Sequence, residues 1–190
     1  MTSHRRTILD GILLCIIFNT IVALTWNFIP DAFSKMLPKE IRMAAPPRKK
    51  KEVLILAAVL YPLCILIFAY MIYSAHLAGV SGFWNLFWTG YIEMFFINMG
   101  DFWGLDYWYR GAIKDRITIP GTEHCKAWET GEWMRTLAIP EHFIMWPFLI
   151  CPITGFLVAG LVPGSTFNEN IKTLLSGIAE VRDSSVLALS

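Results

Sequence analysis

Four long runs of mostly apolar residues follow one another along the chain, with polar segments between them. Each run approaches or exceeds the ~20 residues that a helix needs to cross the hydrocarbon core of a bilayer. The cores of three runs carry no charged side chain, whereas the third run contains carboxylates. The pattern predicts transmembrane helices over about residues 8–30, 53–75, 83–108 and 141–162.

A different periodicity follows Gly164, where apolar residues recur with the spacing of one helical face at Ile171, Leu174, Leu175, Ile178 and Val181. This spacing predicts an amphipathic helix over 167–182, lying on the membrane surface or against the bundle. The sequence therefore predicts an all-α fold with a single transmembrane domain over 1–190. That domain is an integral membrane four-helix bundle with a structured loop between helices 3 and 4 and the amphipathic C-terminal helix.

The composition agrees with a membrane protein. The chain is 55% hydrophobic, has a mean hydropathy of +0.50 and is 16% charged, against about 25% charged residues in a typical soluble domain. A net charge of +1 provides no global field for binding nucleic acid. The four cysteines are scattered without a C-x-x-C pair, which argues against a disulfide framework and against a thiolate zinc site.

Lysine and arginine predict the orientation, because cytoplasmic loops are enriched in both. Seven lie between the first and second predicted helices and five between the third and fourth, whereas four lie on the other side. We therefore expect both long loops in the cytoplasm and both termini outside, in the inner membrane if the source is bacterial. The first helix is expected to be retained and not cleaved as a signal peptide, since Asp10 interrupts the basic region and no small-x-small cleavage site follows.

Acidic residues and a histidine are predicted to meet at one membrane face. Asp101 and Asp106 lie at the end of the third predicted helix, Glu141 and His142 begin the fourth, and Glu123 lies in the loop between them. Carboxylates at membrane depth are costly unless they face protein, water or an ion. The sequence therefore predicts a carboxylate-rich polar site at the mouth of the bundle.

Three local features qualify this site. Asp106 is five residues past Asp101, about 140° round an ideal α-helix, so the two aspartates share one ligand only if the helix distorts near Gly104. Gly100 and Gly104 form a small-x-x-x-small pair, which favours close helix packing. Pro140 is expected at the first position of the fourth helix.

Two segments have alternative interpretations. Glu93, deep in the third helix, is either a neutral carboxyl that holds helices together or part of a proton relay. The Pro120–Gly121 turn would fix Glu123 at a rigid corner, and Trp128 and Trp133 would dock the loop at the bilayer interface. This loop is either a lid over the polar site or an ordinary interfacial loop.

The order of motifs resembles a family of small four-helix bacterial membrane proteins. The motifs are D-x-x-x-x-D with following aromatics from Asp101 to Trp108, then I-P-G-T-E from Ile119 to Glu123, and then a late histidine. The resemblance covers about residues 85–160. It implies that the aspartate pair ends the third helix, that I-P-G-T-E lies in the next loop, and that both aspartates and the glutamate form a functional set. It implies no reaction.

Three functions fit these features. In the first, a membrane-embedded enzyme acts on a hydrophobic or lipid-like small molecule, with the cofactor unknown. A divalent metal such as Mg, Mn, Zn or iron would be bound, or acid–base chemistry carried out, by Asp101, Asp106, Glu123 and His142. In the second, the chain is a transport or channel component, for which four helices are few, so a homo-oligomer would be needed. In the third, it is a non-catalytic membrane subunit. The bilayer is a partner in all three.

Overall fold

The computed structural model describes residues 3–163, and every element in this range is helical, so the all-α prediction is confirmed there. The predicted amphipathic helix over 167–182 lies outside the described residues. In chain order the elements are α1 (Ser3–Phe28), a 3₁₀ turn (Pro30–Lys35), α2 (Lys39–Ala44), α3 (Lys50–Leu77), α4 (Phe83–Gly100), a π-helical segment (Asp101–Tyr109), α5 (Arg110–Ile117), a 3₁₀ turn (Lys126–Trp128), α6 (Thr130–Trp133), two further π-helical segments (Met134–Ala138 and Glu141–Ile150) and α7 (Cys151–Leu161).

Within residues 3–163, three helices have the length and hydropathy to cross a membrane: His4–Phe28, Lys50–Leu77 and the continuous stretch Thr130–Leu161. The third predicted run is also helical and begins at Phe83. It contains the buried polar residues Glu93 and Asn98, which lower its hydropathy. The three apolar helices are compatible with a membrane protein.

Helix α4 lies at the centre of the bundle and packs most extensively against α7 and α1. Two glycines allow the close approach of α4 and α7. A Cβ atom on Gly90 would lie 2.7 Å from Val158 Cγ2, and one on Gly155 would lie 2.7 Å from the carbonyl oxygen of Phe87. The absence of side chains at these two positions therefore sets the distance between the helices.

The fourth helix begins earlier than the sequence predicts. The prediction that Pro140 opens this helix is wrong, because the helix starts at Thr130 and runs through the proline. Proline lacks an N–H group and its ring clashes with the carbonyl four residues back in an α-helix. Here the flanking turns are π-helical, and Pro147 lies inside the second of them. Wider winding makes room for both rings, so the helix continues.

The two long loops pack on each other at one end of the bundle. The Glu40 carboxylate accepts hydrogen bonds from the backbone N–H groups of Lys126 and Ala127, at 3.2 and 2.9 Å. Trp133 stacks between Trp26 and Trp128, with ring centroids 5.9 and 5.8 Å apart. The expectation that Trp128 and Trp133 lie at the bilayer interface is wrong, since each is 1% exposed. Their rings form the core beneath the loops instead.

Candidate functional site

A cavity of about 110 Å³ opens where the π-helical segments meet the packed loops. Four of its lining residues are polar: Asp101 and Asp106 from the first π segment, and Glu141 and His142 from the last. The remaining wall is apolar and includes Trp26 and Trp133, two members of the tryptophan stack. The structure therefore brings three of the four predicted site residues around one small space.

Helix distortion explains how the two aspartates reach the same cavity. Hydrogen bonds in a π-helix join residues five apart instead of four. Residues at positions i and i+5 then share one face of the helix, and Asp101 and Asp106 have this spacing. The distortion that the sequence analysis required near Gly104 is thus present, and both carboxyl groups line the cavity.

His142 is 1% exposed, and an amide fixes its ring. The Asn98 Nδ2 group donates to the backbone carbonyl of His142 at 3.0 Å, so its Oδ1 atom must be the one that faces the ring. That oxygen lies 2.7 Å from His142 Nδ1. Because an amide oxygen only accepts, Nδ1 carries a proton.

The other ring nitrogen faces a carboxyl group. His142 Nε2 lies 3.0 Å from Asp106 Oδ2. With a proton already on Nδ1, a hydrogen bond across this contact needs one further proton, held either by Nε2 or by the carboxyl oxygen. The His142–Asp106 pair therefore stores one transferable proton beside the cavity. Phe102 and Trp146 flank the ring, with centroids 5.6 and 6.2 Å from it.

Arg110 ties the site to the loop. Its side chain is fully buried and donates to the carbonyl oxygens of Asp106 and Trp128 and to the hydroxyl of Thr130, at 2.9, 3.0 and 3.0 Å. The guanidinium also lies 5.0 Å from the centroid of the Trp133 ring. These contacts hold the end of the π segment, and hence Asp106, against the loop.

Glu123 is not at this cavity. Its side chain is exposed, and its carboxylate accepts a hydrogen bond from the backbone N–H of Gly121 at 3.0 Å. Hydrogen bonds from backbone N–H groups lower the pKa of Glu123 below its ordinary value. Gly121 has a φ of +88°, as the predicted Pro-Gly turn requires. The glutamate therefore stabilises its own turn in the arrangement seen here.

The arrangement bears on the metal hypothesis too. Among residues 3–163, no three or more His, Cys, Asp and Glu side chains are grouped so that they could hold a metal ion. Asp101, Asp106 and His142 line one cavity, but the fourth predicted ligand lies in the exposed turn. The contacts that the structure does show are those of a proton-sharing pair.

Two residues of this site are not in the set of catalytic and metal-binding residues that the sequence predicts. Asn98 orients the histidine, and Arg110 anchors the aspartate. Asn98 was visible as an amide three residues before Asp101 on the same helical face. No sequence pattern distinguished Arg110 from the other basic residues between the third and fourth predicted helices.

A second polar cluster lies towards the other end of the bundle. The Asp10 carboxylate accepts hydrogen bonds from the hydroxyl groups of Tyr70, at 2.8 Å, and Ser74, and forms an ion pair with Arg6 at 3.6 Å. Glu93 lines a narrow cavity beside this cluster and is 1% exposed. Its Oε2 atom has no hydrogen-bond partner among the residues that the structure describes.

No family model, no curated protein and no solved structure matches this chain, so its geometry alone supports the functional assignment.

Proposed function

We propose that this chain is an integral membrane enzyme that acts on a hydrophobic small molecule, with the His142–Asp106 pair as its acid–base group. In this proposal α4 is the fourth membrane span, and the two loops lie on the cytoplasmic side. The helix is shielded by α1 and α7, which pack on it from two sides. Shielding of this kind makes its polar residues compatible with a bilayer.

One observation carries the proposal: a buried imidazole is fixed in one tautomer and shares a proton with a carboxyl group at the wall of a cavity. Asn98 fixes the tautomer through two hydrogen bonds, and Asp106 supplies the second partner. What sets this histidine apart from a structural one is that one of its two partners is an ionisable carboxyl group at the wall of a cavity. A base held by an orienting group, with its other nitrogen on an ionisable partner, is the arrangement used in acid–base catalysis.

The cavity wall suggests how the reaction is divided. Asp101 and Glu141 face the space beside the pair and bind the polar group of the substrate. The pair gives its proton to a substrate heteroatom and later takes a proton back, so it returns to its starting state. Phe102 and Trp146 keep water from the imidazole, which strengthens every interaction made inside the cavity.

Lipid extracts provide a direct test. Membranes from a host that expresses the wild-type chain are compared by untargeted mass spectrometry with membranes that contain His142→Gln or Asp106→Asn at equal levels. We expect a substrate to accumulate or a product to disappear in both variants and not in Glu123→Gln. Identical extracts from the wild type and from both correctly folded site variants would contradict the proposal.

A second candidate function rests on Glu93. Its unpartnered carboxyl oxygen lies between the Asp10 cluster and Asn98, which contacts His142. Polar groups therefore continue from one end of α4 towards the other, as a proton path through the bundle requires. In liposomes that enclose a pH-sensitive dye, proton flux that depends on Glu93 and is lost in Glu93→Gln supports transport. Absence of flux in the wild type would contradict the transport function.

A further inference from the structure

A second and larger cavity touches the proposed active site. It is a groove of about 500 Å³ between α1 and the first π segment, and almost all the atoms that line it are apolar. Leu105 lines both this groove and the acidic cavity. Gly100 and Gly104 belong to the groove, and they immediately precede Asp101 and Leu105 along the helix. The groove therefore runs up to the acidic site and shares a wall with it.

The groove is an open space that helix packing does not fill. At one end α1 and the helix touch, since a Cβ on Gly100 would clash with Cys15 Sγ. At the other end the Tyr109 hydroxyl donates to the carbonyl oxygen of Ala23 at 3.0 Å. Between these contacts a Cβ on Gly104 would meet no atom of the described residues within 4 Å. The expectation that the Gly100–Gly104 pair serves helix packing thus holds for the first glycine only.

The rim of the groove is of the kind that faces acyl chains. Ile16, Leu24 and Trp108 line it and are 59%, 52% and 71% exposed. Exposed apolar side chains at this density mark a lipid-facing surface or a binding site for an apolar molecule. A volume of this size lies within the range of small-molecule sites.

The charge of the residues that line the acidic cavity determines which polar head group of a ligand can bind there. The acidic cavity is lined by Asp101, Asp106 and Glu141, and none of its described lining residues is a lysine or arginine. The buried Arg110 does not line it and is engaged by carbonyl and hydroxyl oxygens. A phosphate or carboxylate would meet three carboxyl groups, balanced at most by the single positive charge of His142, whereas a hydroxyl or amine would find acceptors.

We infer that the groove binds the hydrocarbon chain of a single-chain amphiphile whose neutral or cationic head, a hydroxyl or an amine, enters the acidic cavity. This inference rests on the proposed function for its polar end and names the substrate class of that site. It also explains why Gly104 lacks a side chain in a segment that is otherwise rich in large residues, since any larger residue would occupy the space of the chain.

Photo-crosslinking in nanodiscs tests this inference without requiring turnover. The probe is hexadecanol with a diazirine in its chain, and cross-linked peptides are mapped by mass spectrometry. We expect more labelling within 15–24 and 100–109 than around Tyr61 and Ile65, which are 72% and 67% exposed on α3. Unlabelled hexadecanol should remove the excess labelling, and hexadecanoate at the same concentration should not.

A filling variant provides the decisive control. Gly104→Leu should reduce groove labelling roughly tenfold or more, because a steric cost of about 1.4 kcal/mol already gives a factor of ten. Gly111→Leu is the matched control, since Gly111 is also helical and a Cβ there also meets no atom within 4 Å. If Gly104→Leu does not fold, Thr20→Phe narrows the same groove from α1.

The possible outcomes separate the inference from the enzyme proposal. Labelling should persist in His142→Gln, because the chain contacts do not involve the proton-sharing pair. Groove labelling equal to that on α3, or unchanged by a folded filling variant, would overturn the binding of a chain. Equal competition by hexadecanoate would overturn the head-group assignment. None of these results depends on detecting a reaction product.

Discussion

The same two helices meet in two different ways. In one half of the bundle, α4 and α7 are regular α-helices in close contact at Gly90 and Gly155, where neither helix leaves room for a Cβ atom. In the other half, beyond Gly100 on one helix and before Cys151 on the other, both become π-helical and line the cavity beside the His142–Asp106 contact. One helix pair therefore provides a rigid half and an open half.

This contrast shows how a small bundle makes room for chemistry. Close packing leaves little room for a ligand. Wider winding brings side chains five residues apart onto one face and moves them outward, and π segments are frequent at functional sites. Here the π segments carry Asp106 and His142, while the α-helical half holds them at a fixed distance. We therefore expect the α-helical half to stabilise the fold and the π-helical half to carry the reactive side chains.

The largest effect is expected in the open half. His142→Gln should lower the rate with the identified substrate by about 10²–10⁴, because removal of a general acid–base group typically has that cost. Thr154→Val removes a buried hydroxyl from the packed half, where Thr154 bonds only the carbonyl of Ile150 in its own helix. That control should keep nearly the wild-type rate. An equal loss of rate in the two variants would show that the two halves do not differ in function.

The packed half should respond most strongly in stability. Gly155→Val should reduce the free energy of unfolding by about 3 kcal/mol, the upper part of the usual range for overpacking, because its Cβ would lie against the backbone of Phe87. Thermal unfolding in detergent measures the change. Gly111→Val alters helix propensity equally at an open position, and its midpoint should stay well above that of Gly155→Val. A Gly155→Val midpoint no lower than that of this control would show that the halves do not differ in packing.

A substitution in the loop that covers the open half should reduce the free energy of unfolding by less than Gly155→Val does. Thr122 is fully buried, accepts from the Trp128 indole N–H at 3.0 Å and donates to the Ile119 carbonyl at 2.7 Å. Thr122→Val leaves the indole N–H without a partner and should cost about 1–2 kcal/mol. Thr118→Val is the control, since the Thr118 hydroxyl bonds at the surface of its own helix end. Equal midpoints for the two variants would contradict an ordered loop core.

Glu123 should have the smallest effect. The pKa of its carboxyl group is lowered from 4.5 by backbone N–H donors, so its contribution to the turn is present above that value and is lost as the pH falls through the lower, folded-state pKa. NMR titration of the side-chain carboxyl should therefore give a midpoint below 4.5. A midpoint at or above it would show that the Gly121 hydrogen bond does not form in solution.

The sequence predicted the parts of the site that depend on helix periodicity and length. The four apolar runs placed Asp101, Asp106 and His142 at one end of the bundle, and the structure has them around one cavity. Their functional role, the orientation of the chain in the membrane and the family resemblance stay predictions. The pattern of charge and hydropathy along a sequence predicts which residues are buried, but it does not predict which side chains contact each other.

Other features left no trace in the pattern. A π-helix differs from an α-helix by one hydrogen-bond step, which no residue type encodes, so the shared face of the two aspartates was not predicted. The Pro-Gly turn was predicted, but the direction of the Glu123 side chain depends on one local N–H group. Trp128 and Trp133 were assigned to the bilayer interface by a rule for exposed loops, whereas tertiary contacts bury both.

The tautomer of His142 tests the central claim most directly, because the proton-sharing pair exists only if Nδ1 is protonated. The chain has four histidines, and the other three, His4, His76 and His124, are exposed. In protein labelled with ¹⁵N-histidine, His142→Gln identifies the buried ring. We predict that His142 Nδ1 carries a proton throughout the pH range in which the protein is folded. A neutral ring that is protonated at Nε2 alone would contradict the account.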